Sequence, residues 1–265
     1  MMSDKKLLIV IPAYNEEENI TPVIEALKKI ELPVEKDILV INDGSSDRTA
    51  EIVHNLGIKH ITNVINLGYG GCLQVGYKYA FREKYDYLVQ MDADGQHDPC
   101  NVEKIYEALV TGDENGKLPD IVLGSRFMNG SADFPAGTLK KIAWWWFKKL
   151  LRLFTGIKHL SDPTTGLQGL SRSAICFYSY FGHFDGRYPD ANMIEQMALL
   201  GFRITQIPAV MHIRTYGTSM HSGLVKPFFY MFHMTISMIA VWIRVKFLHI
   251  DIAKANRIIK ENRED

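Results

Sequence analysis

Asp92 and Asp94 stand one residue apart in the run YLVQMDADGQHDP, where an apolar stretch gives way to acids, a Gln and a His. Alternate residues leaving an extended strand face the same side, so two carboxylates at this spacing can hold one cation. Oxygen ligands in small number suit magnesium or manganese, which keep waters and accept substrate phosphates as further ligands. A calcium loop would need the pattern D-x-[DN]-x-[DN]-G and a closing Glu, and Gly95 and Gln96 are wrongly placed for it. Helix capping by an Asp is the plain alternative. A second cluster, VINDGSSDRT, puts Asp43 at the end of another apolar run, with Ser46 and Asp47 placed to cap the next helix. Asp43, ahead of that cap, is left to meet a ligand. The stretch NLGYGGCLQVGY (66–77) offers glycines for close backbone approach, but it fits neither G-x-G-x-x-G nor G-x-x-x-x-G-K-[ST]. A dehydrogenase or a P-loop enzyme is disfavoured. Asp190 in RYPDANMIEQ can act as a general base or cap the helix that follows, and the sequence leaves both open. His97 can join the metal or orient its loop, and orientation is the stronger reading. His212, His221 and His233 lack metal-ligand spacing.

These residues need a scaffold that gathers strand ends. Short apolar runs, LLIVIP, DILVIND, YLVQMD and DIVLGSR, alternate with helix-patterned segments. That is the rhythm of a mostly parallel, buried sheet, and the fold class is α/β. Ile20, Val23, Ile24, Leu27 and Ile30 share one face of a first helix, with Asn15 and Glu18 placed as a capping box. Each apolar run ends in a polar cluster, and ligands of open α/β sheets bind beyond the carboxyl ends of the strands. Thirty basic and thirty acidic residues among 265 give a net charge of +0, so the chain makes no global case for a nucleic-acid partner. Cys72, Cys100 and Cys176 have no paired spacing and read as reduced thiols of a cytosolic protein. The apolar run near the N-terminus is too short for a signal sequence.

The character changes after about residue 130. The segment 138–154, TLKKIAWWWFKKLLRLF, mixes Trp144, Trp145, Trp146 and Phe147 with Lys140, Lys141, Lys148, Lys149 and Arg152, a composition suited to a membrane interface. The segment 227–243, PFFYMFHMTISMIAVWI, has no formal charge apart from His233 if protonated, lies between basic residues, and is borderline in length for a span. A buried core helix or a homo-oligomer contact is the alternative for each. The domain reading is a catalytic domain over 1–220, with 138–154 as an interfacial segment within it, and a hydrophobic helical appendage over 221–265.

Together, IPAYNEEENI, VINDGSSDRT, MDADGQHDP, GSRF, DPTTGLQGLSRSAI and RTYGTS resemble the inverting family-two glycosyltransferases of the GT-A fold, in the branch of dolichyl- and polyprenyl-phosphate sugar synthases. The resemblance covers about residues 5–220, with six motifs in the family's order. It implies that Pro12, Tyr14, Glu16 and Asp43 contact the nucleotide, and that Asp92 and Asp94, with Gln96, hold magnesium or manganese. It also implies that Arg126 and Arg214 contact phosphates. Two departures stand out: Gln168 replaces an Arg common in the branch, and Met220 stands where a Lys often follows the Ser, so Arg214 must carry more of the phosphate contact.

The implied reaction moves one sugar from a UDP- or GDP-linked donor to polyprenyl phosphate, with inversion, at the cytoplasmic face of the cell membrane. A lipid phosphate is already ionised and is itself the nucleophile, whereas a sugar hydroxyl in a growing glycan would need a base such as Asp190. Lys140 and Lys141 favour the lipid acceptor, because they can meet its phosphate beside the Trp cluster. A non-catalytic nucleotide-sugar-binding protein is a further alternative. The acidic motif argues against it, since unpaired acids repel without a cation.

Overall fold

The computed structural model describes residues 3–113, 115–131, 138–212 and 225–263. Seven strands form one sheet in the order β3-β2-β1-β4-β6-β5-β7. They are β1 (Ser3–Ala13), β2 (Val34–Asn42), β3 (Lys59–Thr62), β4 (Tyr87–Gln90), β5 (Ile121–Ser125), β6 (Gln168–Ser171) and β7 (Ile204–Pro208). Pairing is parallel except for β6, which runs antiparallel between β4 and β5. Along β1, Leu7, Ile9 and Ile11 enter one core while Leu8 and Val10 enter the other, as the two-residue period of a strand buried on both faces requires.

Helices α1 (Ile20–Lys28), α2 (Thr49–Asn55) and α4 (Cys100–Thr111) supply the first core. The second is built from α3 (Gly68–Arg82), α5 (Thr138–Thr155), α6 (Arg172–Ser179), α7 (Ala191–Leu199), α8 (Val225–Lys246) and α9 (Ile252–Asn262). Met234, Met238, Val245, Ala255 and Ile258 belong to this second core, so 225–263 packs into the same body as the strands. The three cysteines are free, with Cys72 and Cys176 buried.

Two local expectations change. The first helix buries Ile20, Val23, Ile24 and Leu27 as its spacing predicts, but it starts at Ile20, too late for a box built on Asn15 and Glu18. Asn15 instead adopts a left-handed φ of 55° and reaches across to the β2 loop, where its Oδ1 accepts from the Ser46 N–H at 2.9 Å. The glycine-rich stretch forms α3, and its glycines admit the chain itself. A Cβ on Gly70 would lie 2.1 Å from the Asp185 carbonyl oxygen.

Candidate functional site

The strand order reverses direction between β1 and β4, and ligands of such sheets bind at that switch, beyond the carboxyl ends. Ala13 pairs with Asn42 and Val10 with Gln90, which draws the β1 loop, Asp43 and Asp92 to one edge. Because β6 runs backward, Gln168 pairs with Gln90 and the loop 162–167 enters at the same edge. Its Gly166 carbonyl accepts from Gln90 Nε2 at 2.8 Å. A Cβ on Gly166 would lie 3.0 Å from Asp92 Oδ2 and from the Tyr69 hydroxyl, so any larger residue would press on both.

Asp92 and Asp94 flank the buried Ala93. The Tyr69 hydroxyl donates to Asp92 Oδ1 at 2.9 Å, and Asp94 Oδ1 accepts from the Gln96 N–H at 3.0 Å. Burial and the charge of Asp92 push the Tyr69 phenol up, so it stays protonated and a donor. His97 is 4% exposed, and burial lowers its pKa to about 4. Its Nδ1 accepts the Asp92 N–H at 3.1 Å, so in the neutral ring the proton sits on Nε2 and neither nitrogen offers a lone pair to a metal. Through that bond His97 holds the Asp92 end of the loop. His212 clamps the far side: its N–H donates to the Gln96 carbonyl at 2.7 Å, and its Nε2 lies 2.7 Å from Asp98 Oδ2.

Among the described residues no three His, Cys, Asp or Glu side chains converge. The donors at the β4 end are two carboxylates and the Gln96 carboxamide, all hard oxygen ligands. Such a set fits magnesium or manganese with coordination left for water and phosphate.

Among the residues expected to meet a nucleotide, Pro12 is buried and Tyr14 is half exposed. The Glu16 N–H donates to Thr49 Oγ1 at 2.9 Å, and Glu16 Oε2 accepts from Asn19 Nδ2 at 2.7 Å. Asp43 is not open to a ligand as expected. It is 3% exposed and accepts from Asn63 Nδ2 (2.8 Å), the Leu67 N–H (2.9 Å) and the Gly68 N–H (3.0 Å). It thereby caps α3 and fixes the 63–68 loop.

Arg126 is likewise engaged. Its Nε and Nη2 grip the fully buried Asp162 at 2.6 and 2.7 Å, Nη2 also reaches the Thr164 carbonyl at 3.1 Å, and Trp144 lies 4.9 Å beneath the guanidinium. Its first task is therefore to tie the 162–168 loop to β5. Gln168 is buried and bonds within that loop, donating to the Thr165 carbonyl at 3.0 Å.

Asp190 occupies the N-cap position of α7 without a side-chain capping bond. Its Oδ2 accepts the Tyr230 hydroxyl at 2.5 Å, while Asn192 Oδ1 takes the N–H groups of Asp190 and Met193. Burial raises the Asp190 pKa to about 6, with Asp92 and Asp185 adding to the rise and Tyr230 and Arg126 opposing it.

The expected tryptophan cluster is divided. Trp145 is 60% exposed, Trp144 covers Arg126, Trp146 donates to Thr235 of α8 at 3.0 Å, and Phe147 is fully buried. Lys141 is exposed, whereas the side chain of Lys140 and all of Arg214 lie outside the described residues. Sequence reasoning missed Tyr69, Asp162 as the partner of Arg126, and Tyr230. Each pairs with a residue at least 23 positions away, a distance no local pattern spans.

The chain matches the family model for Glycosyl transferase family 2 over residues 8–177. It is 29% identical over 231 residues to the undecaprenyl-phosphate mannosyltransferase of Micrococcus luteus, an alignment covering 82% of this chain and 88% of that protein. It is 27% identical over 241 residues to the polyprenol monophosphomannose synthase of Mycolicibacterium smegmatis, covering 83% and 82%. Among solved structures it resembles glucosyl-3-phosphoglycerate synthase from Mycobacterium tuberculosis in complex with manganese, uridine diphosphate and phosphoglyceric acid. That likeness has a TM-score of 0.65 at 18% identity, covers 91% of this chain and 78% of the other, and speaks for the shared GT-A fold. The family match spans well over half of the chain, so this protein belongs to Glycosyl transferase family 2 and is a glycosyltransferase.

Proposed function

We propose that the enzyme transfers one sugar, with inversion, from a UDP- or GDP-linked donor to a polyprenyl phosphate at the cytoplasmic face of a membrane. One observation carries this reading. The helices that reach into the cleft are the same two that turn large apolar and basic side chains outward: Trp144 of α5 covers Arg126, and Tyr230 of α8 holds Asp190. An acceptor delivered from a lipid surface would meet the cleft beside them. The two relatives described above carry names of polyprenyl-phosphate chemistry, which agrees.

Asp92 and Asp94, with Gln96, would hold a magnesium or manganese ion, which when bound supplies Lewis-acid stabilisation of the leaving diphosphate. Tyr69 and the Gly166 gap hold Asp92 ready, so little reorganisation is needed when charge develops. Pro12, Tyr14 and Glu16 seat the nucleotide, with Asp43 setting the neighbouring loop. Arg214, Lys140 and Lys141 add positive charge for phosphates, and Arg126 adds its own while anchoring Asp162. The lipid phosphate attacks as an anion and asks for no strong base.

A second reading has its own observation. Asp190 makes no capping bond and has a pKa of about 6, as suits a base for a sugar hydroxyl in a growing glycan. Offering radiolabelled nucleotide sugars one at a time, with polyprenyl phosphate in detergent, separates the two. Label that partitions into organic solvent, and is lost with a chelator, is the expected result. Label that appears only on a water-soluble glycan would replace the first reading by the second.

A further inference from the structure

We propose that α8 lies in the plane of an anionic lipid bilayer instead of crossing it, with α5 beside it supplying positive charge. The inference deepens the membrane reading above and rests on it. By composition α8 could span: the 19 residues Phe228–Lys246 have a mean hydropathy of 1.5, and the 22 residues of the whole helix extend about 33 Å at the α-helical rise. A soluble core helix is excluded, because only 17% of that stretch is buried.

What decides between spanning and lying flat is how the helix is fastened. Tyr230 bonds Asp190, Thr235 accepts from Trp146, Ser237 accepts from Asn192 at 2.8 Å, and Arg244 donates to Gln196. These bonds fall along most of the helix and tie one flank to α5 and α7. Beyond Lys246 the chain turns back, and α9 packs Ala255 and Ile258 into the core against α6. Both ends of α8 are therefore held by one body. A crossing would strand α9 on the far side, take Asp190 and Asn192 from their partners, and carry the Tyr230, Thr235 and Ser237 hydroxyls unpaired into hydrocarbon, which penalises each of them.

The opposite flank carries Phe229, Phe232, Ile236, Ile239 and Ile243, each at least two-fifths exposed and spaced three, four, three and four residues apart. That is one continuous stripe. Among the described side chains of α5, Ile142, Trp145 and Leu153 are apolar and exposed. The charge says what covers the stripe. In a chain of zero net charge, α5 holds five Lys or Arg, and α8 adds Lys226 and Lys246 besides the Arg244 that is turned to Gln196 and Asp251, with no acidic residue in either helix. An anionic lipid surface is complementary to both features, and a neutral protein partner would answer only one.

The full-length protein is mixed with vesicles of phosphatidylcholine alone or with phosphatidylglycerol, and sedimented. The expected result is binding to the anionic vesicles that weakens as salt rises. Phe232→Glu or Ile236→Glu should lower it at least about tenfold with an unchanged melting temperature, because each replaces a large apolar side chain of the exposed stripe by a charge. In a Cys100→Ser background, fluorophores at Phe229→Cys, Ile236→Cys and Ile243→Cys should be quenched alike by shallow brominated lipids. Deep quenching at Ile236→Cys alone, or a C-terminal tag protected inside the vesicle, would establish a span and overturn the proposal, as would failure to bind either vesicle. Binding is read without turnover. Vesicle binding without transfer to polyprenyl phosphate would refute the proposed acceptor and leave this inference standing, while transfer in detergent without vesicle binding would do the reverse.

Discussion

The cleft edge around Asp92 and the outer flank of α8 are both built from side chains that ordinary proteins avoid exposing together, yet they are treated in opposite ways. At the cleft edge the polar groups are held by the chain itself: Tyr69 on Asp92, Asn63 and two backbone N–H groups on Asp43, and Arg126 locked to Asp162. On the outer flank, Phe229 and Phe232 are more than half exposed, as is Trp145, whose ring has the Lys149 ammonium 5.1 Å away. One region is organised before its ligand arrives. The other is completed by something outside the chain. Preorganisation favours stabilisation of developing charge, whereas an unfinished apolar flank favours docking.

The largest effect is expected where the contrast is sharpest. Asp94→Ala or Asp92→Ala should lower transfer by about 10³-fold or more, since either change removes half of the carboxylate pair that would hold the metal. The melting temperature should hold, because removing one of two neighbouring acids relieves repulsion. Turnover measured across a magnesium or manganese titration checks this, and full activity in the variant with chelator present would remove the pair from the mechanism. Asp162→Ala comes next, and it should act on folding. It strands the mostly buried Arg126, and breaking a buried pair costs about 3 to 5 kcal/mol. Urea unfolding reads that loss directly.

The same contrast explains what could be read from the sequence. Strands β1, β2, β4 and β5 were legible because each is a run of apolar residues buried on both faces. The polar clusters at their ends, PAYNE, NDGSSD, DADGQ and GSR, pointed to one edge of the sheet as the candidate site. Strand β3 is a four-residue edge with no fully buried position, and β6 carries Gly169, where a Cβ would lie 2.1 Å from Ile105 Cγ2. No apolar pattern announces either. Asp43 looked available because the 63–68 loop that claims it lies 20 residues on. The tryptophan run misled for a reason the sequence did contain: consecutive helical residues point about 100° apart, so three in a row cannot share one face.

Between the two regions lies α7, whose Glu195 sharpens the comparison as a buried acid without a partner among the described residues. It is 0% exposed, neither oxygen has a hydrogen-bond partner among the described residues, and burial raises its pKa to about 9. The folded state then holds a proton that the unfolded chain releases near pH 4, so stability falls as pH rises from about 4 towards 9. Glu195→Gln should abolish that slope. Relative to wild type, it should gain on the order of 2 to 3 kcal/mol between pH 5 and pH 7, measured by denaturant unfolding at the two values. A parallel shift of both proteins would mean that Glu195 already ionises in the fold.

The smallest effect is the most discriminating for the acceptor. Asp190→Asn keeps the side chain's shape and can still accept the Tyr230 hydroxyl bond, so it changes charge more than structure. If the nucleophile is a lipid phosphate, no proton need be taken from it, and the variant should retain activity within a few-fold. If it is a sugar hydroxyl, loss of the base costs about 100-fold or more. The pH profile separates the cases independently. A base with a pKa near 6 gives the wild type an acid limb there, which the variant would lose, whereas a phosphate nucleophile leaves that limb in both proteins. Neutralising Lys140 and Lys141 together provides the matching test on the membrane side. It should raise the acceptor requirement, and the defect should grow as salt is lowered, because attraction to anionic lipid is strongest there. A protein that depends on Asp190, ignores those lysines and works only on soluble sugars would use its outer flank for anchorage and its cleft for a glycan, and the two regions would then serve separate purposes.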